Sequence, residues 1–552
     1  VEGELELEAE DEALPPLELA TSEGGRLPVH AELVAAGAEL ASYELPGRVA
    51  ALLLRGFPEE FTGLRPCAAA AARRDERLEA TLWLGEEVPA RFEFAAEREA
   101  LAATLEGEGD RVVRYRVLRR PRVRLAFVDE LPGHGLGSYR LLPADAERSA
   151  AVRHEGELRA ERRADGAALV ANGSWRVEVG PDGRVDWQHG PSGCAVEDAL
   201  CLRSEGDRGD EYTFDPVPGE TPGDAAERPR IGLGPGSGAS VAIWIEQDLW
   251  VPAALAPSRR ARSAKRVRLP VRTELRLWRG LDRLDVSLDV TNTAEDHRLR
   301  LLLAAPFAPR ALEVESAFEV VERPLVADPA AFGPNPAERP SGASPQRGFA
   351  SLRGDDRRFT VANRGAAEVE AVRDDAGRTA LAVTLLRAVG WLSRDDLGLR
   401  PVHAGPALET PGAQVPGRHR VELAVLLHEA ADPARGSEAR RFSAPPLAFP
   451  GGVDAGPLAH GARLLELDAP GVRVSAIEPM REGGTLVRLY EAEGTAAEAR
   501  LRFFGGAPLE PADLSGAPHA GLVTLAEEAG GALRLGLRAH QIVSLLRRPP
   551  QP

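Results

Sequence analysis

Apolar and polar positions alternate one by one along much of the chain. The alternation is plain in Ser174-Trp175-Arg176-Val177-Glu178-Val179, in Glu274-Leu275-Arg276-Leu277 and in Val421-Glu422-Leu423-Ala424-Val425. It is longest in Leu284-Asp285-Val286-Ser287-Leu288-Asp289-Val290. Period two puts the apolar side chains on one face and the polar ones on the other, as a half-buried antiparallel strand requires. Gly180-Pro181-Asp182-Gly183 separates two such runs and predicts a hairpin. Helical periodicity is scarce; residues 67–80 (CAAAAARRDERLEA) predict one short helix. Strands and helices do not alternate regularly, which argues against a β/α barrel or a doubly wound sheet and for stacked β-sandwiches.

Breaks in this pattern divide the chain. Residues 1–145 predict a small β-sandwich domain closing on Val123-Arg124-Leu125-Ala126-Phe127-Val128. Residues 146–166 are charged and aperiodic and predict a linker. Residues 167–440 predict a large β domain, interrupted by a Pro/Gly/Ser-rich loop at 335–348. Residues 441–552 predict a terminal β-sandwich, opening around the SAPPLAFPGG run and closing in a Pro-rich tail. No fixed-period repeat is present, which disfavours solenoids and propellers.

Composition adjusts this picture in few places. At 552 residues, with 43% hydrophobic and 28% charged residues, the chain can fill several cores. A net charge of −17 argues against nucleic acid or an anionic membrane as the main partner. Lys265 is the sole lysine, and Ala, Gly, Pro and Arg abound, which reads as the codon bias of a G+C-rich bacterium and weakens arguments from alanine. Cys67, Cys194 and Cys201 are too few for a disulfide framework, although the last two could meet on adjacent strands. No apolar run reaches the roughly 18 residues of a membrane helix, and no secretory leader pattern is found, so the cytoplasm is the expected location. The chain opens at Val1 and its single methionine is Met480, so a piece excised from a longer protein is expected.

Signatures of self-contained catalysis fail one after another. The 11 histidines are scattered, with no HExxH and no close His-x-His pair. His297 reads as a strand-end histidine bonded to its neighbours. No GxSxG elbow or P-loop occurs, and Gly232-Leu233-Gly234-Pro235-Gly236 lacks the strand–turn–helix setting of a phosphate cradle. Two carboxylate clusters remain, Asp207-Arg208-Gly209-Asp210-Glu211-Tyr212 and Ser393-Arg394-Asp395-Asp396. A glycosidase needs two facing carboxylates, which these supply only if the fold unites them. Asp and Gly also favour tight turns, so turn chemistry explains the clusters equally well. Asp, Arg and Tyr together suit a sugar site, giving hydrogen bonds to vicinal hydroxyls and an aromatic face for the ring.

Several ordered segments carry a family resemblance. Arg276-Leu277-Trp278-Arg279-Gly280-Leu281-Asp282-Arg283-Leu284-Asp285-Val286, with Val290-Thr291-Asn292 and Asp296-His297-Arg298-Leu299-Arg300, resembles the C-terminal region of glycoside hydrolase family 38, the α-mannosidases. So does Gly390-Trp391-Leu392-Ser393-Arg394-Asp395-Asp396-Leu397, continuing through Ala404-Gly405-Pro406 and Thr410-Pro411-Gly412-Ala413-Gln414. Val170-Ala171-Asn172-Gly173 resembles the entry to the family's large sandwich, and Leu131-Pro132-Gly133-His134-Gly135 the close of the small domain before it. Ser475-Ala476-Ile477-Glu478-Pro479 with Leu486-Val487-Arg488-Leu489-Tyr490 resembles its last domain.

The resemblance implies an all-β chain: a small β-sandwich, a large super-sandwich like that of galactose mutarotases, then a terminal small β-sandwich. It implies an α-mannoside as the carbohydrate partner, and a preceding catalytic domain with the zinc, the nucleophilic aspartate and the acid/base carboxylate. No cofactor is expected in this chain, and it is expected to be inactive alone. By resemblance Tyr212, with Asp210 in the same turn, borders the sugar site, and Arg394 with Asp395 and Asp396 forms another stretch of its rim; Asp296 to Arg300 buttress the sandwich instead. Two other readings stay open, a stand-alone carbohydrate-binding or scaffold protein and a β-sandwich epimerase, which would need a His and a Glu facing one pocket.

Overall fold

The computed structural model describes the chain except residues 8–16, 22–23, 75–76, 87, 89–91, 132, 145–157, 221–224, 228, 235, 329–332, 334–336, 433–435, 450–460, 470, 482, 504–508, 522, 529–530 and 549–552. The chain forms two compact units. One comprises Val1–Asp129, Tyr139–Val152 and Pro446–Ala455; the other comprises Glu130–Ser138, Arg153–Pro445 and Gly456–Pro552.

In the first unit, strands Glu2–Glu6, Arg122–Ala126 and His30–Ala35 form one three-stranded sheet, and Tyr139–Pro143, Leu17–Thr21 and Arg26–Pro28 form another. Leu19, Val29, Val123, Leu125 and Phe127 pack together as their core. This is the expected small sandwich, but residues 38–119 insert an α/β layer into it. There, strands Ala38–Pro46, Val112–Arg119, Arg77–Gly85 and Arg65–Arg74 make a sheet in that order. Helices Gly47–Arg55 and Phe94–Glu106 pack on it through Ala50, Leu54, Leu101 and Leu105. The longer helix is the crossover between the parallel strands Arg77–Gly85 and Val112–Arg119, a link that two parallel neighbours need. Gly47 is required where the shorter helix begins, because a Cβ there would lie 2.2 Å from the Leu105 carbonyl oxygen.

The helix predicted over 67–80 does not form. Its described residues, 67–74 and 77–80, lie in the antiparallel pair Arg65–Arg74 and Arg77–Gly85. Leu78, Ala80, Leu82 and Leu84 are all buried, a period-two face that a helix would have scattered around its axis. Burial outweighs the helical propensity of alanine, which is a difference of under about 1 kcal/mol per residue.

The second unit holds most of the strands. A ten-stranded antiparallel sheet is built around Ser240–Pro252, Arg266–Trp278, Leu284–Asn292, Gly417–Glu429 and Arg357–Asn363. Two five-stranded sheets share its core. One is a meander from Arg159–Arg162 to Cys194–Val196; the other contains Leu200–Gly206, His297–Ala304 and Thr379–Ala388. Trp175, Trp187, Leu275, Val286, Leu301 and Val383 meet in one cluster, so the assembly is a super-sandwich. Each fully buried leucine in it contributes roughly 1.5–3 kcal/mol. The predicted alternation is realised: Leu284, Val286, Leu288 and Val290 are at most 1% exposed, and Val286 pairs with Leu275 on one side and Leu423 on the other. The predicted turn at Gly180–Gly183 joins Trp175–Val179 to Val185–His189, with Gly183 at φ +85°.

Part of the expected linker, residues 146–157, lies outside the described residues. The remainder is not linker throughout, since Arg159–Arg162 pairs with Ala168–Ala171. Two four-stranded sheets between Leu465 and Arg547 make the terminal sandwich, closed on Val487, Leu489, Leu501, Leu535 and Leu545. The three cysteines are free thiols. Among the described residues no helix is long and apolar enough to cross a membrane.

Candidate functional site

Three loops at one end of the strands Leu200–Gly206 and Thr379–Ala388 assemble into a single charged structure. The first, residues 207–215, is organised from inside by two buried aspartates. Asp207 Oδ1 accepts from the Gly209 and Asp215 N–H groups at 2.8 and 3.2 Å, and its Oδ2 accepts from Arg387 Nε at 2.9 Å. Asp210 Oδ1 accepts from the Tyr212 and Thr213 N–H groups at 3.0 and 2.9 Å. Gly209 has no substitute in this turn: a Cβ would fall 2.0 Å from the Thr213 carbonyl oxygen. Burial pushes the Asp207 carboxyl up, while the Arg387 guanidinium and the two N–H donors pull it back.

The second loop, residues 391–405, is tied to the first. Asp210 Oδ2 accepts from the Arg394 N–H at 2.8 Å and from Arg400 Nη2, and Glu211 N–H donates to the Trp391 carbonyl at 3.1 Å. Asp215 Oδ1 accepts from Gly398 N–H at 3.1 Å. The two carboxylate clusters of the sequence therefore do meet. They meet through Asp210 rather than as a facing carboxylate pair. Every oxygen of Asp207 and Asp210 already accepts a donor and both carboxylates are 0% exposed, so they hold the loop framework rather than line its surface. Asp210, expected to touch substrate, is 0% exposed and acts here as the bolt between loops.

Outside this bolt lie the groups that face solvent. Tyr212 is 55% exposed, and the tip of its ring lies over Gly405, where a Cβ would come within 2.8 Å of the hydroxyl oxygen. Arg394 donates from Nε and Nη2 to the two oxygens of Asp396, at 2.8 and 3.0 Å, and its guanidinium lies 5.1 Å from the centre of the Trp391 ring. The third loop, around residues 255–262, supplies Arg259, whose Nη1 donates to Asp396 Oδ2 at 3.0 Å. Arg394, aided by Arg259, holds the Asp396 carboxyl down at about 2. Asp395 stands 3.5 Å from His403 Nε2, and His403 Nδ1 lies 3.4 Å from the buried Ser393 hydroxyl. Ser393 Oγ accepts from the Ala404 and Gly405 N–H groups, so its proton is directed to His403 Nδ1.

Arg259, Arg400 and His403 were not singled out by sequence, and Trp391 entered only within the run Gly390–Leu397, with no role given. Arg259 had a local signal, lying in Arg259-Arg260-Ala261-Arg262, a basic run within an acidic chain. Arg400 had none, because its partner Asp210 is 190 residues away. Among the described residues, no three His, Cys, Asp or Glu side chains come together to hold a metal ion. His297 does as its neighbours suggested: Nε2 bonds Asn292 Oδ1 at 3.0 Å, and burial pulls its pKa down to about 3. Arg298 and Arg300 buttress the same sheet through Glu205 and Glu370.

Comparison with known proteins agrees with this architecture. No family model matches the chain. Over 246 residues it is 31% identical to the protein named "Putative mannosylglycerate hydrolase" of Halalkalibacterium halodurans, an alignment covering 44% of this chain and 25% of that protein. The crystal structure of an α-mannosidase from Enterococcus faecalis V583 superposes with a TM-score of 0.66 at 17% identity, covering 99% of this chain and 54% of the other. A glycosyl hydrolase family 38 protein from Enterococcus faecalis gives 0.63 at 17% identity, covering 96% and 58%. At 17% identity the likeness to the two solved chains is one of fold, and the resemblance read from the residues to the C-terminal region of family 38 stands. The chain spans about a quarter of the curated relative and just over half of the two solved chains.

Proposed function

We propose that this chain is the C-terminal β region of an α-mannosidase-type glycoside hydrolase, divided into the three β blocks described above and acting in the cytoplasm of a bacterium. Its loops 207–215 and 391–405 complete the rim of the sugar site. Zinc, nucleophile and acid/base carboxylate belong to a catalytic domain outside this chain, which alone is inactive. The observation that carries the reading is the pinning of two distant loops by Asp210, which presents Tyr212, Arg394 and Trp391 together. An aromatic face beside a guanidinium and carboxylates gives a sugar ring a stacking surface and paired hydrogen bonds. Fixing these groups on packed strands lowers the entropy lost on binding, the usual role of a rigid scaffold under a binding loop. Similarity to a putative mannosylglycerate hydrolase and to an α-mannosidase supports an α-mannoside as the sugar.

The test is hydrolysis of an aryl α-mannoside by this polypeptide alone and by the same polypeptide joined to a family 38 catalytic domain. Activity only in the joined protein, reduced by Tyr212→Ala, is expected. Chelator-sensitive turnover by the isolated chain would overturn the proposal.

A further inference from the structure

Beside the rim lies a second concavity that the sugar reading does not use. Its volume is about 320 Å³, and its walls are the turn Val217–Glu220, Pro252 and the segment Arg260–Ser263 with Arg266. Among the described residues, three guanidiniums, those of Arg260, Arg262 and Arg266, face it against a single carboxylate, Glu220. That carboxylate is fully committed. Its Oε1 accepts from Arg262 Nη1 at 3.2 Å and its Oε2 from the Gly206 N–H at 2.9 Å.

The three arginines differ in what they can offer. Arg262 is a wall: its side chain is 7% exposed, and it also donates to the Ser204 carbonyl and hydroxyl at 3.1 and 2.8 Å. Arg266 leans on the Trp250 carbonyl through Nη2. Arg260 is exposed and has no ion-pair partner among the described residues, whereas its neighbours Arg259 and Arg262 are each paired with a carboxylate. A protein with net charge −17 repels anions at long range, so a basic concavity on it is a local device. Planar guanidinium forks match carboxylate and phosphate oxygens two at a time.

The geometry points to an anion-binding subsite here, taking the carboxylate or phosphate of a small organic acid. Its size suits a group of a few carbons, at the low end of small-molecule pockets. Arg259 of the rim and Arg260 of the pocket are consecutive residues of one turn, so the two share a wall. The subsite stands on its own observations and holds whether or not the rim binds sugar.

Isothermal titration of this chain with lactate, with glycerol 3-phosphate and with uncharged glycerol tests it. Saturable binding of one or both anions, absent for glycerol and weakened roughly tenfold or more in Arg260→Ala and in Arg260→Ala/Arg266→Gln, is expected. Binding of only one anion supports the subsite and names its oxygen group. Tyr212→Ala leaves the anion affinity unchanged, which separates this pocket from the sugar rim. Arg260→Ala sits on an exposed turn, and unchanged thermal unfolding checks its fold. The proposal is overturned if neither anion binds saturably, or if both arginine variants bind as the parent does.

Discussion

Two Asp/Arg groupings meet where the loops 207–215 and 391–405 come together, yet they differ in kind. Asp207 with Arg387 and Asp210 with Arg400 are shut away from water, each carboxylate being 0% exposed. Asp396 with Arg394 and Arg259 stands at the surface, its carboxylate 49% exposed. The buried pairs also hold backbone N–H groups and so set the loop path; the outer cluster sets only side-chain direction. A charge removed from the inside leaves a partner stranded in low dielectric, whereas one removed from the rim is replaced by water.

The strongest way to break the comparison is Asp210→Ala. It strands Arg400 and leaves the N–H groups of Tyr212, Thr213 and Arg394 without an acceptor, and a loss of about 3–5 kcal/mol is expected in denaturant unfolding. A cost below about 1 kcal/mol would put both groupings in one class.

A second test uses acid. The folded His297 titrates at about 3 against 6.5 for an ordinary histidine, because burial disfavours its charged form. The unfolded chain therefore binds the extra proton first, and the contribution is complete above pH 6.5 and lost as pH falls toward 3. A few kcal/mol of stability should disappear across that window, and His297→Gln should flatten the curve there.

Asp396→Asn, at the rim, is expected to cost about 0–1 kcal/mol and to remove a component sensitive to salt. Its carboxyl is held at about 2 against 3.8, so its stabilisation is present above 3.8 and lost as pH falls through about 2. The smallest effect on stability belongs to Tyr212→Ala, within about 0.5 kcal/mol because the ring is mostly exposed. In the chain joined to a family 38 catalytic domain, the same change is expected to lower kcat/KM for an aryl α-mannoside. A large loss of stability with unaltered kinetics would make Tyr212 a structural residue and not a rim residue.

The sequence by itself determined the β architecture of the large region. Period-two runs such as Leu284–Val290 admit one buried face, and that face was found at the core. It also marked both carboxylate clusters, since Asp, Gly and Arg in short loops leave a local trace. It misread residues 67–80, where genomic alanine imitates a helix former and only packing against two helices shows the strand. Helix Gly47–Arg55 escaped because its 9 residues are too short a window for a helical period to stand out among the strand patterns around it. What only the tertiary structure decided is which acids serve as bolts and which face water. Asp210 and Arg394 differ in role because strands nearly two hundred residues apart deliver their loops to one place. Neither a spacing nor a local propensity encodes that meeting; burial does, by taking one carboxylate out of water and leaving its neighbour in it.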